Sequence, residues 1–514
     1  MRDGDAAGGY GRVTVTRARV LAGAAAVALV VLCLLLLLNV ARFAELAWLS
    51  ASFPGQLDYG EGIVWQQAVL MLTPRLYGNV QNYPFLVFHY PPFYHLTVDA
   101  LASSGVSWLA AGRVLSSLAL ACVSLCAGLF VWETAARSDG RRDISGQARL
   151  IAAVVTGLLV FSLDPMRYWG RLARVDLLAS ALEYLGLYLG LRALRHGGSL
   201  VPVGLVFVAA MFTKQTAIAG AMAIGLAALI HGRRDIWRAG LIAVGTGAGL
   251  FLALTWITDG GFFRHLVLYN VNRFKLSDVF VRLAAVGDEN LHLAYVAIPS
   301  IALLILASRA ILGGLKALPM GGLIILIVAL VNIASLIGLG KSGAAANYII
   351  PLVCASAILS GLLIAGTARQ VGRPNGQPIW FLAVTAALIA QTAVLPASGE
   401  NRLVSPAFRR DTMTLIGMIR DAPKPVLSDD MVLLMQAGKP IPWEPLIITE
   451  LAATGVFDER KVIDMIAAHA FSFVIINDTL ANGFFSRDVN AALAAAYPRE
   501  TMIGKKHLLL PREP

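Results

Sequence analysis

Long apolar runs, broken by short arginine-rich stretches, occupy the chain from Val20 to about residue 396. A bilayer core takes about 20 apolar residues, and Val20 to Val40 is the first run of that length. It is longer than the apolar part of a secretion signal and no small-residue cleavage site follows, so it reads as a retained signal anchor. Further runs reach to about Trp132 and lie near 150–163, 177–194, 239–258, 291–308, 318–339, 349–368 and 378–396.

The stretch 200–230 is too long for one ordinary span and too short for two full ones. Its flanks are both basic, with Arg192 and Arg195 before it and Arg233, Arg234 and Arg238 after it. Cytoplasmic loops collect Lys and Arg, so a single helix would put one cluster on the wrong side. Two short helices with Lys214 and Gln215 at an external turn satisfy the rule. Arg12, Arg17 and Arg19 place the N-terminus in the cytoplasm. Arg137, Arg141, Arg142, Arg149, Arg309, Lys316, Arg369 and Arg373 mark later inner loops. The prediction is an all-α polytopic membrane protein of about eleven spans, with residues 1–396 as the membrane domain, a first extracytoplasmic loop over 41–106, and a small extracytoplasmic α/β domain over 397–514. In that tail, β-rich runs (Pro425 to Leu427, Phe471 to Ile476, His507 to Leu510) alternate with an amphipathic helix over Asp458 to Ala468.

Composition agrees: 57% of the 514 residues are hydrophobic and 14% charged, against about 25% charged in soluble domains. The net charge of +11 follows the loops rather than forming a nucleic-acid patch. Cys33, Cys122, Cys126 and Cys354 all fall inside apolar runs, which argues against a disulfide framework.

The unusual polar residues all fall on the expected outer side. The first outer loop carries Asp58-Tyr59-Gly60-Glu61 and His89-Tyr90-Pro91-Pro92-Phe93-Tyr94-His95. Arg171, Arg174 and Asp176 lie in the second, Lys214 and Gln215 cap the short hairpin, Arg264, Arg273, Lys275 and Arg282 lie in 259–290, and Lys341, Asn347 and Tyr348 follow. Ionisable groups near membrane depth are costly and mark sites. This inventory suits glycosyl transfer. A carboxylate takes the proton of an attacking hydroxyl and steadies an oxocarbenium-like transition state, while Lys and Arg hold a phosphate leaving group.

Each group also has a plainer reading. Asp58-x-x-Glu61 before an apolar run is a capping box, and both roles can hold together. Arg171, Arg174 and Asp176 also read as an interfacial ion-pair network, and Lys214 as a snorkelling side chain. His89 and His95 read as hydrogen-bonded structural groups beside a proline pair that sets an extended approach to the next helix.

The acidic pair in the first outer loop, the Tyr90-Pro91-Pro92 segment and the Arg174-Val175-Asp176 start of a later span resemble the GT-C superfamily of membrane glycosyltransferases. Its members include protein O-mannosyltransferases, lipid A aminoarabinose transferases, arabinofuranosyltransferases and lipopolysaccharide-core galacturonosyltransferase-like proteins. Thr213-Lys214-Gln215-Thr216 and Lys341-Ser342-Gly343 with Asn347-Tyr348 resemble the bacterial branch that contains the last of these. The resemblance implies an inverting hexosyl- or pentosyltransferase of the bacterial inner membrane, taking a polyprenyl-phosphate-linked sugar to an envelope lipid, glycan or protein. It implies Asp58 and Glu61 as the catalytic carboxylates and Arg171, Arg174, Lys214 and Lys341 around the donor phosphate. Tyr59, His89, Tyr90, His95, Asp176, Gln215, Asn347 and Tyr348 would line the site. Some members use a divalent cation (Mg, Mn, Ca or Zn), for which Asp58, Glu61 and His89 are the candidate ligands. Tyr59 and Gly60 separate acids that are adjacent in the O-mannosyltransferases, so which carboxylate is the base stays open. The rival readings are a transporter or flippase of lipid-linked sugars, which would need polar residues at the bilayer midplane, and an O-antigen-ligase-type transferase, for which 259–290 supplies only His265.

Overall fold

The computed structural model describes residues 5–136, 145–270, 272–290, 293–371, 377–393, 405–480 and 483–512. Arg137, Arg141, Arg142 and Arg373, used above to orient the chain, and the expected boundary at 396/397 lie outside the described residues. Among those described, seven helices are long and apolar enough to cross a membrane: Val20–Ser52, Trp108–Ala135, Val175–His196, Asp235–Ile257, Val296–Gly313, Met320–Gly340 and Ala346–Ala368. Four more are apolar but shorter: Gly146–Ser162, Val201–Thr213, Ala219–Ile230 and Pro378–Ala393. At 1.5 Å per residue, the 13 residues of Val201–Thr213 rise only about 20 Å, less than a hydrocarbon core of about 30 Å. The stretch 200–230 is therefore two short helices that meet at the turn 214–218.

The chain is a multi-pass membrane protein. Its central helices, such as Val175–His196, bury most of their length, whereas Asp235–Ile257 leaves its most apolar window wholly unburied. A helix apolar on an exposed face requires lipid. Trp237 and Trp256 are both exposed on it. Nineteen residues apart, they sit about 28 Å from each other along the axis, the separation of the two interfacial belts where tryptophan collects.

Residues 405–512 build a four-stranded mixed sheet flanked by helices. Strand β1 (Leu427–Ser428) pairs in parallel with β2 (Val474–Ile476). β2 pairs antiparallel with β4 (Lys506–Leu510), and β4 with β3 (Arg499–Ile503), giving the order β1-β2-β4-β3. The helix expected over Asp458 to Ala468 is Arg460–Ala467; β3 was not anticipated. This unit rests directly on the first loop. Gln66 exchanges two hydrogen bonds with the Ile441 backbone, 3.3 and 3.1 Å, and the Phe85 N–H donates to the Pro442 carbonyl at 2.9 Å. Gly62 lies so close to the tail that a Cβ there would sit 2.6 Å from that of Met431.

Candidate active site

Helix Gly60–Met71 starts just after Asp58, so the two acids of the first loop do not share a helix face. Asp58 accepts the Gly60 N–H through Oδ1 at 3.0 Å, and Glu61 reaches back to the Leu57 N–H at 2.8 Å. Only half of the capping box forms: the Glu61 carboxylate reaches back to the N–H groups before the helix, while the Glu61 N–H goes to the Asp58 carbonyl and not to its side chain. The side chains then diverge. Asp58 Oδ1 meets Arg174 Nη1 at 2.5 Å. Its Oδ2 carries no hydrogen bond among the described residues. Gly60 makes the approach of Arg174 possible, because a Cβ at that position would lie 1.5 Å from the guanidinium.

From Arg174 the ion pairs continue. Its Nε faces Asp176 Oδ2 at 3.8 Å, and Asp176 Oδ1 accepts from Lys214 Nζ at 2.6 Å and from Asn347 Nδ2 at 2.9 Å. The Lys214 ammonium stands 5.5 Å from the centre of the Tyr348 ring. Arg174 Nη2 reaches the Tyr90 hydroxyl at 3.5 Å, and Gln215 Nε2 donates to the His89 carbonyl at 3.1 Å. Four loops far apart in sequence thus converge on one chain of two carboxylates and two cations.

Glu61, expected as the partner carboxylate, is elsewhere. It is fully buried in a two-pronged pair with Arg113, at 2.8 and 2.7 Å, and also accepts the Ala173 N–H at 2.9 Å. Burial raises its pKa, but Arg113 and these hydrogen bonds outweigh burial and hold it below the usual carboxylate range. Its role is to fix Ala173, and so Arg174, against the first loop. Arg113 was missed, although a single arginine in the otherwise uncharged run Trp108 to Trp132 was a signal, since buried ions in membranes come paired.

The other candidates divide. Arg171 is buried beside Tyr168, 5.7 Å from the ring centre. Lys341 adds backbone to a pairing with Phe274, and among the described residues its ammonium is not a member of the ion-pair chain. The Tyr59 hydroxyl donates to Glu444, and burial and that carboxylate keep the phenol protonated. His95 is buried at 3.2 Å from Gln67, whose amide in turn lies 3.4 Å from His89 Nδ1. Burial holds both imidazoles neutral, His89 at about 4 and His95 at about 3, with the His265 and Arg174 charges adding to the effect on His89.

The expected metal ligands do not fit a metal. The Glu61 oxygens are committed to Arg113 and backbone N–H groups, His89 Nδ1 faces Gln67, and Asp58 faces Arg174. Among the described residues no three His, Cys, Asp or Glu side chains gather as a metal-binding group.

Fold and site together define a polytopic membrane protein whose ionisable loop residues converge on one ion-pair chain. The chain is similar in structure to ArnT from Cupriavidus metallidurans, in the apo state (TM-score 0.53) and bound to undecaprenyl phosphate (TM-score 0.54); each comparison has 15% identity over 92% of this chain and 97% of that one. It is also similar to the archaeal oligosaccharyltransferase AglB from Archaeoglobus fulgidus, in complex with an inhibitory peptide and a dolichol-phosphate, at TM-score 0.49 and 12% identity over 89% of this chain and 72% of that one. No family model matches the chain, and none of the curated proteins does.

Proposed function

We propose that this protein is an inverting glycosyltransferase that moves one sugar from a polyprenyl-phosphate donor to an envelope acceptor at the extracytoplasmic face. The observation that carries the reading is the ion-pair chain Asp58–Arg174–Asp176–Lys214, in which Asp58 keeps one oxygen without a hydrogen bond and pairs with Arg174, while Asp176 joins Arg174 to Lys214. The ArnT structure with undecaprenyl phosphate supports the donor class through the shared fold. On the same reading the membrane part crosses about eleven times, counting the four short helices, and 397–514 is an extracytoplasmic α/β domain.

Arg174 is divided between Asp58 and Asp176. A donor phosphate arriving between Arg174 and Lys214 competes with Asp58 for the guanidinium, because two-pronged arginine–phosphate contacts are strong. Released from that pair, Asp58 accepts the proton of the acceptor hydroxyl as its oxygen bonds to the anomeric carbon. The bond from that carbon to the phosphate oxygen breaks on the opposite side, its electron pair stays on the phosphate, and Arg174 and Lys214 stabilise the charge. An apolar cavity of about 840 Å³ lies among helices Val201–Thr213, Ala219–Ile230 and Asp235–Ile257, lined by Phe207, Met211, Phe212 and Phe251. Its Phe212 end is two residues from Lys214, which suits a lipid chain whose phosphate reaches the cations.

The test is Asp58→Asn in purified protein, assayed with a polyprenyl-phosphate-linked sugar. Transfer should fall by about 10² to 10⁴ with the thermal unfolding midpoint unmoved. Undiminished transfer overturns the reading.

A further inference from the structure

The helix Pro445–Ala453 of the C-terminal unit is held rigidly from behind, with Ile447, Ile448 and Leu451 packed into the same core as Leu427 and Val474 of the sheet. Its other side meets the loops of the membrane part, and it does so through two carboxylates, Glu444 and Glu450, each only 3% exposed.

Glu444 caps the start of the helix. Its Oε2 accepts the Ile447 N–H at 2.7 Å, and its Oε1 accepts the Leu446 N–H at 3.1 Å together with the hydroxyl of Tyr59. Tyr59 stands between Asp58 and Gly60, the residue whose N–H holds Asp58 Oδ1. The Phe484 ring covers Tyr59 from 4.5 Å.

Glu450 lies near the other end. Its Oε1 accepts the Ser342 hydroxyl at 2.6 Å, and its Oε2 takes the Arg273 N–H at 3.4 Å with the guanidinium Nε at 3.7 Å. Ser342 in turn accepts from the Asn272 side chain through its carbonyl at 3.2 Å. The same loop runs on to Asn347, which donates to Asp176, and Tyr348, which lies against Lys214. One nine-residue helix therefore grips both ends of the ion-pair chain, the Asp58 end through Glu444 and the Asn347 end through Glu450.

We propose that Glu444 and Glu450 are positioning residues through which the C-terminal unit sets the distance between the proton-accepting carboxylate and the phosphate-binding loop; this rests on the function proposed above. Neither side chain touches the reacting atoms. Because small misplacement of a reacting group costs rate steeply, the two grips have separable consequences. Loosening Glu444 disturbs Asp58 and so the chemical step. Loosening Glu450 disturbs the loop 341–348 and so donor binding.

The experiment measures kcat and donor KM for Glu444→Ala and Glu450→Ala of the full chain in detergent, with a polyprenyl-phosphate-linked sugar and thermal unfolding run alongside. Glu444→Ala should lower kcat about tenfold with donor KM unchanged, and Glu450→Ala should raise donor KM about tenfold with kcat unchanged. Tyr59→Phe should reproduce the Glu444→Ala loss, and combining the two should add nothing, as for residues acting through one contact. Glu444→Gln keeps an acceptor oxygen for Tyr59 and should restore kcat. If both alanine variants change kcat and KM alike, in step with lost thermal stability, the helix is only scaffolding and the proposal fails. It fails alone if both are silent while Asp58→Asn abolishes transfer; if Asp58→Asn is also silent, the proposed function itself has failed.

Discussion

Two arginine–carboxylate pairs begin three residues apart in the first loop, and they are opposites. In the Glu61–Arg113 pair nothing is left over. The guanidinium donates to both carboxylate oxygens and to the carbonyls of Ser50, Phe53 and Gly55, each at 2.7 or 2.8 Å, and Glu61 accepts further backbone N–H groups. Along the Asp58–Arg174–Asp176–Lys214 chain, Arg174 Nε, Asp176 Oδ2, Asn347 Oδ1 and Gln215 Oε1 are buried without a hydrogen bond. Buried polar atoms are nearly always satisfied, so a fully bonded pair has nothing to offer a ligand. A cluster of under-bonded atoms around a partly exposed carboxylate keeps that capacity. Charge and burial alone do not separate the two; saturation does.

Removing one partner of the saturated pair should break the comparison most visibly. Arg113→Ala leaves Glu61 and three carbonyls buried without their donor, a class of change that costs about 3–5 kcal/mol. The expected outcome is a large loss of folded protein in detergent, read by thermal unfolding and by yield. Arg113→Lys keeps the charge but not the fork and should fall between. A stable but inactive Arg113→Ala would show that the pair belongs to the chemistry after all.

A smaller effect is expected at the far end of the open chain. Lys214→Ala removes one charge-assisted donor but leaves Asp176 with Arg174 and Asn347, so stability should suffer less than in Arg113→Ala. On the proposed function, donor KM should rise about tenfold or more, the effect of losing one hydrogen bond to a charged group, with acceptor KM unchanged. Steady-state titration of each substrate checks it, and a rise confined to acceptor KM would remove Lys214 from the phosphate.

The parts legible in the sequence were those set by local pattern. The paired basic flanks around 200–230 dictated two short helices, and isolated polar residues in an apolar chain marked Asp58, Arg174, Asp176, Lys214 and Asn347, though together with Glu61, Arg171 and Lys341, which are not members of the ion-pair chain. Pairings between distant segments were not legible. The partner of Glu61 lies 52 residues away, and Glu444 meets Tyr59 across 385 residues, with nothing local in either segment to announce the contact. Strand β3 escaped because Arg499–Met502 is exposed throughout, so the alternation that reveals a half-buried strand is missing. Asp58 and Glu61 were paired by their spacing and by the resemblance, and the helix start at Gly60 turns them apart.

Glu444 and Glu61 offer the finest version of the comparison, because both are buried carboxylates and only Glu61 has a cation against it. Burial raises the Glu444 pKa from 4.5 to about 7, which the hydrogen bonds from Tyr59, Ile447 and Leu446 only partly offset; Glu61 is lowered instead. The signs of linkage are therefore opposite. Glu61 contributes stability above its unfolded pKa that is lost as pH falls. Glu444 holds its proton more tightly when folded, so its contribution is fully present below pH 4.5 and is lost as pH rises to about 7. Asp429, raised by burial to about 6, acts in the same direction, whereas His89, His95 and His265, all lowered chiefly by burial, oppose it. The informative measurement is thus the difference between the stability–pH curves of the wild type and Glu444→Gln. That difference should decline between pH 4.5 and about 7, no more steeply than about 1.4 kcal/mol per pH unit for one proton. A flat difference would mean that Glu444 has a cationic partner in the folded protein, and the contrast with Glu61 would fall.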